Sequence, residues 1–185
     1  MKFIKVRKDF TLLDGMLFLC IAAVLVICVF AFYQKYKLTE RVTIETRNIT
    51  TIQTGVKLLY AATSNYVGLN NTVAVNASIF PANMLVNNVP VNIFNGKVLL
   101  EPSIDSPSGS PNSSFAITYF GVPAIECMRI VSDVGSNFYS VGVGISKAGI
   151  MTKNIKKSGG DMDMHTLALA CQTGDDNNII TFTSL

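Results

Sequence analysis

The sequence predicts an α+β protein in which one long N-terminal helix, transmembrane in its first half and amphipathic in its second, packs on an antiparallel sheet. Three observations carry this. Gly15 to Tyr33 contains no charged residue and is long enough as a helix to cross the ~30 Å apolar layer of a bilayer. Leu38, Val42, Ile49, Ile52, Val56 and Leu59 then recur at helical steps, which is the stripe of an amphipathic helix. Strand-like segments lie mostly late in the chain with short helices between them, the order expected of an α+β fold.

Residues 1–9 are a basic leader, holding four of the 15 Lys and Arg and one of the 12 Asp and Glu. The excess of positive charge keeps this end cytoplasmic and sends the chain beyond Tyr33 across the membrane. Residues 10–33 then form the apolar helix and residues 34–185 one extracytoplasmic domain. The run is longer than a secretory signal's apolar core, and no small-x-small cleavage site comes after Phe32. Residues 10–185 carry 11 basic and 11 acidic residues, so the exported part has no overall field to draw in nucleic acid.

The helix continues past the membrane, because neither Pro nor a Gly/Ser cluster separates the two halves. A single helix of about 50 residues begins near Phe10. Lys37, Glu40, Arg41, Glu45 and Arg47 fall off the apolar stripe and read as its polar face. Thr, Ile and Gly55 make the second half a modest helix former that needs tertiary packing.

Tyr66 to Asn95 is Asn-rich, with Pro81 and Pro90 as breakers, and reads as an irregular excursion. EPSIDSPSGSPNSS, residues 101–114, reads as a turn-rich loop. SFAITYFGV (Ser114 to Val122) reads as a strand, Pro123 as the first position of a helix, FYSVGVGIS (Phe138 to Ser146) as a strand, MHTLALACQ as a short helix and NIITFTS as a final strand.

Catalytic constellations are scarce. The one histidine, His165, lies in DMDMH; alternation would bring Asp161, Asp163 and His165 to one side, where a divalent cation is conceivable. Preceded by SGG and followed by a helix, the same letters read better as a turn with helix-capping acids, so no metal and no cofactor is expected. VGVGIS lacks the third glycine of a dinucleotide fingerprint, and Gly142 and Gly144 read as sites of close packing or a bulge. Lys153, Lys156 and Lys157 in KNIKK read as a solvated loop. With no nucleophile and base pair, an enzyme is not expected. Cys20 and Cys28 lie in the apolar run; an oxidising compartment would join the exported Cys127 and Cys171.

Asp14 stands at the entrance of the apolar helix. A charge inside a membrane helix usually has a partner or a role. The basic leader, then FTLLD (Phe10 to Asp14), then an apolar helix continuing as an amphipathic one, resembles a type IV pilin. SFAITYFGVPAIECMRIV and LALACQTGDDNNIITF resemble the regions of the two cysteines in the type IVb branch, which includes the bundle-forming and toxin-coregulated pilins. TIQTGVKLLY through NYVGLNNTVAVNASIFPANM resembles the end of the long helix and the loop after it.

The resemblance implies a prepilin peptidase that cuts between Asp9 and Phe10 and methylates the new terminus. It implies assembly through Phe10 and Asp14, and a Cys127–Cys171 pair bracketing the variable region exposed on the pilus. The chain departs from the family pattern at Asp9, where Gly is usual, and at Asp14, where Glu is usual; a cut after Gly15 would remove Asp14 and ranks second. The implied function is structural: an inner-membrane precursor that polymerises, with the pilus assembly machinery, into a surface filament for adhesion, aggregation or conjugation. The alternatives are a minor pilin or pseudopilin, and a single-pass membrane protein with a periplasmic binding domain.

Overall fold

The computed structural model describes residues 12–145, 153–157, 159–174 and 176–185. Helix α1 runs Leu12–Leu59. The chain divides into two compact units, residues 1–40 and 41–185. In the first, the described large apolar side chains from Met16 to Tyr36 are all exposed. The second contains the rest of α1 and every other element.

Short elements come after α1. Helix α2, Asn71–Asn76, is capped by the Asn70 side chain, which accepts a hydrogen bond from the Val73 amide at 2.9 Å. Strands β1, Leu85–Val86, and β2, Val89–Pro90, form a two-residue hairpin whose turn residues Asn87 and Asn88 have φ of 51° and 62°. This type I′ geometry needs left-handed backbone at both positions, which Asn tolerates better than other side chains. Among the described residues, Asn87, Asn88 and Asn95 of the excursion have positive φ, so part of its Asn richness is turn chemistry.

The main sheet has five antiparallel strands in the order β3-β4-β7-β5-β6. These are β3, Val98–Ser103; β4, Ser114–Val122; β5, Ser140–Ile145; β6, Lys153–Lys156; and β7, Asn178–Ser184. Helix α3, Ala124–Val134, lies between β4 and β5, and α4, Met164–Thr173, between β6 and β7. Phe115, Ile117, Tyr119, Val141, Val143, Ile180 and Phe182, alternate residues of the three central strands, are fully buried. They join Ile49, Ile52 and Val56 of α1 in one core, as the period-2 side-chain alternation of strands requires.

Four expectations are corrected. The start of the presumed loop at 101–114 belongs to edge strand β3, which Asn71 holds through two backbone bonds: its amide donates to the Val98 carbonyl at 2.8 Å and its oxygen accepts from the Leu100 amide at 2.8 Å. A side-chain amide thus takes the place of a neighbouring strand and covers the edge. Lys153–Lys156 form edge strand β6 instead of a solvated loop, with Lys157 after it exposed, and Lys156 is buried with its Nζ donating to the Ser136 carbonyl at 2.8 Å. The terminal carbonyls beyond α3 accept this charge in place of an acid. Glu45 is buried rather than on the polar face. Leu59, at the last turn of α1, is exposed.

Candidate assembly surface and its anchors

Gly15 to Tyr33 is apolar all round, so no amphipathic stripe directs it onto a core. None of its most apolar stretch is buried within the chain. Where the apolar run ends, Lys37 places its Nζ 4.8 Å from the centre of the Tyr33 ring, an aromatic and basic pairing suited to a membrane–water boundary. Cys20 and Cys28 are exposed free thiols on this helix. Asp9 and Phe10 lie outside the described residues; Asp14 is helical, and its side chain lies outside them.

The second half of α1 is fixed by apolar and polar anchors together. Val42, Ile49, Ile52 and Val56 are buried, and between them stand Glu45, Asn48 and Gln53, also buried. The Gln53 amide donates to the Ser184 hydroxyl at 2.9 Å and the Asn137 carbonyl at 3.1 Å. It joins the helix to the end of β7 and to the turn before β5. Glu45 accepts from the Ile93 amide at 2.6 Å and from the Asn48 amide at 3.3 Å, with the Tyr119 hydroxyl beside it.

Burial raises the Glu45 pKa above its ordinary value, against the lowering effect of these hydrogen bonds. Burial and the Glu45 carboxylate together push the Tyr119 phenol well up. This network escaped sequence reasoning, because helical periodicity alone places Glu45 with the other charges. The signal present was the phase of the stripe: Glu45 stands three residues after Val42 and four before Ile49.

Cys127 and Cys171 form a disulfide between α3 and α4, with a Cα–Cα distance of 5.8 Å. Both are fully buried. The DMDMH stretch supplies a helix cap: Asp163 accepts from the Thr166 amide at 2.9 Å and from its hydroxyl at 2.5 Å. The Thr166 side-chain and backbone bonds lower the Asp163 pKa. Among the described residues no group of three His, Cys, Asp or Glu is placed to hold a metal. Gly142 pairs with Thr181, and the β5–β6 register shifts between Val141 and Gly142, the bulge that the glycine suggested.

Residues 39–185 match the protein family described as PilS N terminal. The chain belongs to the PilS N-terminal family. Its fold is that of the type IV pilins. This PilS N-terminal chain resembles TcpA, a type IV pilin from Vibrio cholerae El Tor biotype, with a TM-score of 0.57 and 18% identity over 79% of this chain and 99% of that one. It also resembles the type IVb pilin from Salmonella typhi, with a TM-score of 0.56 and 16% identity over 76% of this chain and 97% of that one. No curated protein sequence matches the chain. The type IVb pilin resemblance read from the sequence is borne out, and with it the long helix on an antiparallel sheet.

Proposed function

We propose that the chain is the structural subunit of a type IVb pilus, made as an inner-membrane precursor and polymerised through the first half of α1. The observation that carries this reading is a helix apolar on every side and unburied within its own chain, joined in sequence to a head of pilin fold. Such a surface is stable in lipid or among copies of itself, and a subunit that moves from one to the other keeps its apolar residues out of water throughout.

Residues 1–9 are the leader, removed by a prepilin peptidase that cuts between Asp9 and Phe10. The new ammonium of Phe10 in one subunit pairs with Asp14 of its neighbour and sets the axial register. Inside the filament core such a pair is weakly screened, and removing one partner leaves a buried charge, which is costly. The Asp14→Ala variant is expected to enter the membrane normally and to yield no filaments, read by electron microscopy of sheared surface material. Normal filaments from that variant would sink the pairing. The N-terminal sequence of sheared material tests the cut itself: a methylated Phe10 supports it, and an intact Met1 confined to membranes overturns it.

A minor pilin is the second reading, favoured by Asp9 at a position where the family pattern has Gly. Its abundance relative to the main fibre protein in sheared filaments separates the two. Adhesion, aggregation and conjugation belong to the assembled fibre in either case.

A further inference from the structure

The outer face of the main sheet, turned away from the core, carries a trough whose floor is set by strand register. Glu101 of β3 lies opposite Ala116 of β4, Ala116 opposite Thr183 of β7, and Thr183 opposite Ser140 of β5. The next row on this face is Leu99, Thr118, Thr181 and Gly142. The middle of the face therefore offers only small side chains. The surface sinks between Leu99, Phe120 and Ile179 into a cleft of about 320 Å³.

Carboxylates stand at both ends of the first row. Glu101, at the β3 edge, is exposed. Asp105, in the turn after β3, accepts a hydrogen bond from the Ser140 hydroxyl at the far end, while its own amide donates to Ser103 Oγ at 3.1 Å. Neighbouring strands lie about 4.8 Å apart, so three intervals put roughly 14 Å between the backbones at the ends of the row. The lining contains no lysine, arginine or histidine.

Between the two carboxylates lies Thr183, a lining residue only 5% exposed, whose hydroxyl has no hydrogen-bond partner among the described residues. The neighbouring Thr118 and Thr181 hydroxyls instead bond each other at 3.2 Å. The fully buried side-chain oxygens without a partner among the described residues lie elsewhere, so the Thr183 hydroxyl is reached by whatever fills the cleft, solvent or ligand.

We propose that this trough is a binding site for a linear polyamine. Its terminal ammonium groups meet Glu101 and Asp105, its interior nitrogen donates to Thr183, and its methylene spacers lie against Leu99, Phe120 and Ile179. Two carboxylates with no basic residue in the lining repel anions such as phosphate or an acidic sugar. A neutral sugar would leave both charges unmatched, and a single amine would satisfy only one end. A flexible polyamine offers a terminal ammonium to each carboxylate, methylene spacers to the apolar walls and an interior ammonium to the Thr183 hydroxyl, and charge-assisted hydrogen bonds are the stronger kind. The site does not depend on filament formation.

The test uses the full-length chain in detergent micelles, with methyl resonances of Ala116, Thr118, Thr181 and Thr183 followed by NMR. The probes are spermidine, octane diamine, pentylamine and glucose. Spermidine is expected to give saturable shifts confined to these methyls, and octane diamine weaker ones, with pentylamine and glucose giving none that saturate. Glu101→Gln is expected to weaken spermidine about tenfold, the loss of one charged hydrogen bond. Thr183→Val keeps the side chain's shape and is expected to weaken spermidine several-fold while leaving octane diamine unchanged.

Thr183→Ser retains the hydroxyl and is expected to bind as the parent does, which separates loss of a ligand contact from loss of fold. Absence of saturable binding overturns the proposal. So does equal response to pentylamine or glucose, or spermidine affinity untouched by Glu101→Gln.

Discussion

Between Met16 and Tyr36, α1 exposes every large apolar side chain that is described, whereas between Val42 and Val56 the same helix buries Val42, Ile49, Ile52 and Val56 and three polar residues besides. The backbone is helical in both regions; the difference lies in the arrangement of apolar residues around it. A stripe can be sealed by one sheet, while a helix apolar all round needs lipid or other helices on every side. The first region therefore depends on its surroundings, and the second on its own chain. Buried polar groups sharpen the contrast, since Glu45 and Gln53 select particular partners, Ile93 and Ser184, where apolar contact alone selects none.

The comparison can be broken most forcefully through the cysteines. Replacing Cys127 and Cys171 together by Ser opens a cross-link of sequence separation 44 and is expected to lower head stability by about 4 kcal/mol in the chain-entropy account, measured by denaturant unfolding of the full chain in micelles. Replacing Cys20 and Cys28 is expected to leave the same unfolding curve in place. An equal loss from both pairs would erase the distinction between the two regions.

Next in size is a matched pair of truncations. Ile52→Ala removes fully buried apolar surface and is expected to cost about 3 kcal/mol. Ile27→Ala, at a residue 68% exposed within its own chain, is expected to leave the head's unfolding midpoint unchanged. Smaller again is Gln53→Ala, which leaves the Ser184 hydroxyl and the Asn137 carbonyl without this donor; about 1–2 kcal/mol is expected, in line with unpaired buried groups. Hydrogen exchange at α1 amides near residue 53, compared with those in β5, would show whether the loss begins at the helix.

The smallest effect concerns Glu45 and depends on pH. Its folded pKa is raised above the unfolded value by burial, so the folded state holds the proton more tightly than the unfolded state does. The resulting stability is fully present below the unfolded value of 4.5 and is lost as pH rises through the raised folded value. Relative to Glu45→Gln, the parent chain is expected to lose melting temperature as pH rises above 4.5. A difference that stays constant over that rise would show that the carboxyl titrates as it does in water.

Much of the fold was legible where a repeating pattern or a strong local preference spoke. The long helix, the strands at Ser114–Val122 and Asn178–Ser184, and the two short helices beginning near Pro123 and at Met164 are consequences of periodicity and turn chemistry. Pro123 flanks α3 as its N-cap instead of its first turn, a one-position difference that leaves the helix where it was expected. Strand β3 was hidden because Pro102 and Glu101 are poor strand formers. An edge tolerates them, and Asn71 supplies the partner that sequence neighbours do not. Strand β6 was hidden by its lysines, whose reading as solvent-facing assumed that no run of carbonyls lay within reach of Lys156.

By itself the sequence determined the α+β class, the apolar helix, its continuation as a stripe, and the cysteines that an oxidising compartment would join, because each rests on spacing along one chain or on residue type. Tertiary structure alone decided that Glu45 is buried, that Gln53 meets Ser184 131 residues away, and that Glu101, Ala116, Thr183 and Ser140 share one row across four strands. Those depend on strand register and on where distant backbone groups need partners. Neither is a property of any short stretch of residues.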